Sequence, residues 1–170
     1  MKSKLLELKA TIKSLETVRK RLMDFKAVYI GTFKQVDTYF NSNKGRLKLR
    51  IIDGKDKAQL IYYFREDITG PKKSKILLID VQEPESFKTL FVSLLGRRVI
   101  VDKEREIYIC EGTQVHLDRV QNLGTFIEFE RRITNVVQDQ RVLEDLMNKL
   151  EIRQKDLIQC SYSDLLTLKK

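Results

Sequence analysis

The stretch Val99–Arg131 reads VIVDKEREIYICEGTQVHLDRVQNLGTFIEFER. Two turn signals, Glu111-Gly112 and Asn122-Leu123-Gly124, divide it into three strands. Side chains alternate across a strand with period two. Lys103 and Arg105 therefore share a face of the first strand, His116 and Asp118 of the second, and Glu128 and Glu130 of the third. The opposite faces hold mainly apolar groups, among them Val115, Leu117, Ile127 and Phe129. Such a sheet gathers cations and carboxylates on one surface, a chemistry suited to a metal-bound polyphosphate.

Upstream, the same alternation recurs. In Arg46–Ile52 (RLKLRII), Arg46, Lys48 and Arg50 face one way and Leu47, Leu49 and Ile51 the other. Leu5–Ile12 sets Leu5, Glu7, Lys9 and Thr11 against Leu6, Leu8, Ala10 and Ile12. Phe33–Asn41 puts Gln35, Asp37 and Tyr39 together, and Gln59–Arg65 does so for Gln59, Ile61, Tyr63 and Arg65. Lys73–Val81 is a strand whose middle is apolar on both faces. Turns are expected at Gly31, Asn43-Lys44-Gly45, Asp53-Gly54 and Gly70-Pro71.

Helical spacing replaces alternation in three places. Ser14 can cap a helix running from Leu15 to about Lys26. Pro84 opens a second, with Phe87, Leu90, Phe91 and Leu94 as its buried stripe and Gly96 as its end. A third begins near Val136, and Ser161–Leu168 forms a short last helix or a packed tail. The chain thus falls into two similar halves with no linker between them, which makes one domain. Many antiparallel strands escape the edge problem by closing into a barrel. The charged faces would then line the lumen and the apolar faces would pack under the helices.

Composition bounds the rest. The 170 residues are 42% hydrophobic and 34% charged, which fits a globular domain. The N-terminus MKSKLLELKATIK lacks the apolar core of a signal peptide, so a cytoplasmic location is expected, with no membrane partner. Cys110 and Cys160 form neither a metal cluster nor a disulfide framework. The single histidine excludes a histidine-rich site and leaves any metal to carboxylates, which favours Mg²⁺ or Mn²⁺ over Zn²⁺. A net charge of +9 points to an anionic partner. The eight phenylalanines sit mostly at core-like positions, so a nucleic-acid partner is not expected. Arg46 and Lys44 read as solvated charges, Tyr39 and Tyr108 as packing residues, and His116 as a structural or lumen-lining residue.

Taken in order, VHLDRVQNLGTFIEFE (Val115–Glu130), KEREIY (Lys103–Tyr108), QVDTYFN (Gln35–Asn41), LKLR (Leu47–Arg50) and the tail SYSDLL (Ser161–Leu166) resemble the CYTH, or triphosphate tunnel metalloenzyme, family. The resemblance is nearest to its class IV adenylate cyclases and spans nearly the whole chain. It implies an α+β fold, a closed antiparallel eight-stranded β-barrel with helices packed outside. It further implies a single domain over residues 1–170, with 136–170 as a helical C-terminal segment.

The resemblance also implies a set of roles. Glu7, Glu128 and Glu130 would serve the metal, Mg²⁺ or Mn²⁺. Lys9, Arg50, Arg65, Lys103 and Arg105 would hold phosphate oxygens. Lys9 and Asp118 would be the catalytic pair, with Asp118 near the metal or the ribose hydroxyl. The implied reaction converts ATP to cyclic AMP and pyrophosphate, and a homodimer is compatible with it. A triphosphatase acting on inorganic, thiamine or nucleoside triphosphate uses the same cradle, and so would a tunnel that only binds.

Two departures stand out. Leu5 replaces the first glutamate of the family's ExExK signature, and KSKILLIDV replaces a strand that often carries acidic residues. Both would thin the carboxylates around a second metal. Arg65 stands where lysine is more usual, which keeps the charge and alters its geometry.

Overall fold

The computed structural model describes residues 2–53 and 58–169. Its strands are β1 (Lys2–Thr11), β2 (Val28–Phe40), β3 (Arg46–Ile52), β4 (Ala58–Arg65), β5 (Lys72–Val81), β6 (Arg97–Cys110), β7 (Thr113–Val120) and β8 (Gly124–Arg132). Its helices are α1 (Leu15–Asp24), α2 (Pro84–Leu95), α3 (Val136–Lys149) and α4 (Tyr162–Leu168). The strands close into an antiparallel barrel in the order β1-β5-β4-β3-β2-β6-β7-β8, so the alternation read from the sequence becomes an inside and an outside. The expected Asp53-Gly54 turn falls partly on residue 54, outside the described residues.

The largest apolar core lies outside the barrel wall. Leu6, Leu8 and Ala10 of β1, Val115 and Leu117 of β7, and Ile127 and Phe129 of β8 meet Leu15, Val18 and Leu22 of α1 and Leu143, Leu146 and Met147 of α3. Burying each such side chain contributes about 1.5–3 kcal/mol. Arg19 fastens α1 further, through Nε and Nη2 hydrogen bonds of 3.0 and 2.6 Å to Glu106 on β6. Glu106 therefore serves the outer wall and leaves Lys103 and Arg105 to the lumen.

Three expectations are corrected. The α2 stripe is not buried: Phe87, Leu90 and Leu94 are 38%, 52% and 68% exposed. Only Phe91 of that stripe joins a barrel cluster, with Phe40 at 5.3 Å between ring centroids, because α2 leans on the wall along one edge. Gly31 makes no turn. It lies within β2 at a register shift against β6, with φ +153°, and a Cβ there would come within 3.0 Å of the Phe33 ring. The lumen is not charged throughout. Tyr39, Ile61, Tyr63, Val99, Val101, Val120 and Phe126 form an apolar floor, and Tyr162 of α4 packs into it.

Hydrogen bonds and ion pairs hold α4 across that end of the barrel. Asp164 takes Arg46 Nη2 at 2.8 Å and Arg98 Nη2 at 3.0 Å, and it completes a capping box with Ser161. Arg46 is thus an anchor of the tail, not a solvated charge. Lys72, 1% exposed, donates from Nζ to the carbonyls of Ile158 and Gln159 at 2.9 Å each. Burial pulls its ammonium down to about 8.

Candidate functional site

Above the apolar floor lies a cavity of about 510 Å³. Six basic side chains line it: Lys9, Lys48, Arg50, Arg65, Lys103 and Arg105. Glu7, Glu128 and Glu130 share the lining with His116 and Tyr162. Every basic residue and glutamate that the resemblance assigns to phosphate or metal therefore reaches one cavity. The inward positions of β1, β3, β4, β6 and β8 supply them, as the two-residue period requires.

Asp118 is placed differently. It is fully buried and does not line the cavity; it stands behind the cations. Arg105 donates to it from Nε and Nη2 at 2.6 Å each, and the Tyr162 hydroxyl donates to Oδ2 at 2.7 Å. Burial alone would raise this carboxyl, but Arg105 and Lys103 outweigh burial and hold it well below the usual carboxylate range. Asp37 plays the matching part beside β3. It accepts Arg50 Nε at 2.7 Å, Arg50 Nη2 at 2.8 Å and Lys48 Nζ at 2.7 Å. These two aspartates fix the guanidinium planes of Arg105 and Arg50 against the wall.

Glu128 joins the cationic and acidic sides. Its Oε1 lies 2.9 Å from Lys9 Nζ, and its Oε2 accepts Arg105 Nη2 at 2.6 Å. Lys9 also stands 3.5 Å above the centre of the Tyr162 ring. Burial lowers the Lys9 and Lys103 ammonium groups, so a polyanion beside them would favour their charged forms. Glu7 faces Arg65 at 3.5 Å, and burial with the carboxylates of Glu130 and Glu128 pushes it up to about 7.

Glu128, Glu130 and His116 each offer a donor atom, and the three lie within 4.8 Å of one another. A divalent cation fits this set, since metal–ligand bonds run about 2.0–2.6 Å. The histidine is a candidate donor that the count of carboxylates overlooked. Its place was readable, because His116 stands opposite Glu128 in the β7–β8 register. Tyr162 and Lys72 carried no comparable signal, since each acts between the tail and the barrel.

Among curated proteins, the chain is 29% identical over 143 residues to a Methanocaldococcus jannaschii protein provisionally named an adenylate cyclase, covering 78% of this chain and 77% of that one. Among solved structures, a Pyrococcus horikoshii OT3 protein superposes with a TM-score of 0.85 at 24% identity, over 95% of this chain and 98% of that one. A Hippeastrum protein, provisionally named an adenylyl cyclase and described as showing a dominant triphosphatase activity, gives 0.68 at 15% identity over 97% and 95%. These likenesses carry the fold. The CYTH domain family matches residues 4–162, nearly the full length, and the chain belongs to that family.

Proposed function

We propose that the protein holds a metal-bound triphosphate in its tunnel and that its reaction is the cyclisation of ATP to cyclic AMP and pyrophosphate. One observation carries the reading: six basic groups and three glutamates meet in a single cavity floored by apolar side chains. The name of the Methanocaldococcus relative supports cyclisation in particular.

In this reading, Lys9, Arg50, Arg65, Lys103 and Arg105 hold phosphate oxygens. Cyclisation asks the ribose 3′-hydroxyl to attack the α-phosphorus while pyrophosphate leaves with growing charge. The basic groups receive that charge. Two of them are held in advance, Arg105 by Asp118 and Arg50 by Asp37, so little reorganisation accompanies the reaction. Asp118 acts here as a positioning residue behind Arg105, and Lys9 touches both Glu128 and the substrate. A divalent ion on Glu128 and Glu130, with Glu7 beside them, would acidify the attacking hydroxyl and offset phosphate charge. Tyr162 and the apolar floor keep water from the closed end.

The test is to incubate the protein with ATP and Mn²⁺ or Mg²⁺ and to read products by mass spectrometry. Cyclic AMP with equimolar pyrophosphate is expected, and Glu128→Gln should cut the rate by about a hundredfold or more. Orthophosphate with no cyclic product would overturn cyclisation and leave a triphosphatase, the activity described for the Hippeastrum protein.

A further inference from the structure

We infer that His116 is itself a metal ligand, through Nδ1, and that its imidazole tunes the site toward a first-row transition ion such as Mn²⁺ ahead of Mg²⁺. The inference rests on the metal-bound reading of the tunnel and adds to it a nitrogen donor and a choice of ion.

His116 is 2% exposed, and its Nδ1 has no hydrogen-bond partner among the described residues. The other ring nitrogen is engaged: Nε2 lies 3.2 Å from the Gln114 amide oxygen. With the Gln114 amide oxygen accepting, Nε2 carries a proton, and Nδ1 turns the other way with a lone pair or a second proton. That nitrogen faces two carboxylates, Glu128 Oε2 at 3.7 Å and Glu130 Oε1 at 3.8 Å. Both lie beyond ordinary hydrogen-bond distance.

A buried lone pair turned toward two carboxylate oxygens is repulsive unless a proton or a metal ion lies among them, and the span of the three donors favours the metal ion. All three donor atoms lie within a span that one ion bridges. A ligating histidine typically has its second nitrogen fixed by an acceptor, and Gln114 supplies one. Glu128 is already bound to Lys9 and Arg105, which lowers its negative charge and makes the imidazole a needed donor, not a spare one.

The donor set also bears on which ion is held. Mg²⁺ prefers an all-oxygen shell and gives up water reluctantly. Imidazole favours transition ions over Mg²⁺. Two carboxylates and one imidazole should therefore hold Mn²⁺ in the presence of excess Mg²⁺.

The experiment uses Mn²⁺ alone, without nucleotide. The chain has one histidine, so growth on ¹⁵N-histidine labels a single position. Mn²⁺ would be titrated into the intact protein and read by pulsed electron paramagnetic resonance. The expected spectrum shows ¹⁴N modulation that changes to ¹⁵N frequencies on labelling. Bound Mn²⁺ whose spectrum ignores the label would overturn the inference, and the carboxylate-bound metal of the proposed function would survive. Absence of bound Mn²⁺ would sink both.

The labelling arm needs no substitution. A second arm compares the Mg²⁺ excess that displaces half the Mn²⁺ in the native protein and in His116→Phe. That excess should fall by about tenfold or more in the variant, and an unchanged ratio would count against the choice of ion.

Discussion

Arg105 and Asp118 face each other directly across the β6–β7 ladder and join through two parallel hydrogen bonds of 2.6 Å each. The pair is almost wholly out of solvent, with Arg105 4% exposed and Asp118 fully buried. A guanidinium stays charged at any working pH, so removing the buried carboxylate that it holds in this fork leaves an uncompensated charge. Asp118→Asn would keep the shape and remove the charge, leaving Arg105 and Lys103 less compensated. We expect a loss of about 3 kcal/mol in urea unfolding. A loss under about 0.5 kcal/mol, the scale of an ordinary surface change, would mean that the pair does not hold the wall.

Asp164 ties the tail to two separate strands, through Arg46 on β3 and Arg98 on β6. Asp164→Ala removes both ion pairs and the capping box of α4. The expected result is faster amide exchange over residues 162–168, with about 1–2 kcal/mol less protection there. Unchanged protection would show that Tyr162 packing alone seats the helix.

Asp139 gives the clearest pH dependence away from the tunnel. It is 1% exposed and accepts Thr134 N–H at 2.8 Å, Asn135 N–H at 2.9 Å and Arg131 Nε at 2.7 Å. Burial would raise it, but those partners outweigh burial and set it below its ordinary 3.8. A carboxyl depressed in the folded state adds stability above its unfolded pKa and loses it as pH falls through the folded value. Native stability should therefore drop as pH falls below 3.8. Asp139→Asn should flatten that part of the curve and cost about 2 kcal/mol at neutral pH. A variant with the same acid limb would clear Asp139 of the role.

The barrel was legible because charge alternated with period two in strand after strand. That rule turned Lys103, Arg105, Glu128 and Glu130 inward in both sequence and structure. The same rule put His116 inward, yet counting histidines hid it as a candidate donor, because one imidazole can complete a set when two carboxylates stand beside it. Arg46 and Lys72 were not readable. Their partners, Asp164 and the carbonyls of Ile158 and Gln159, lie far along the chain and meet them only after closure. The α2 stripe misled for a related reason: a 3.6-residue period shows that a helix is amphipathic, not that a wall covers its apolar face. The Tyr162 hydroxyl that donates to Asp118 likewise arrives from far along the chain.

The tunnel as triphosphate site is tested most directly at Lys103, which is 3% exposed and faces the cavity. Tripolyphosphate and α,β-methylene ATP, each with Mn²⁺, would be titrated by calorimetry into the native protein and into Lys103→Ala. The account predicts binding to the native chain and affinity at least about tenfold weaker in the variant, about 1.4 kcal/mol for each ligand. Equal affinity in the two proteins would place the triphosphate outside this tunnel and contradict the account.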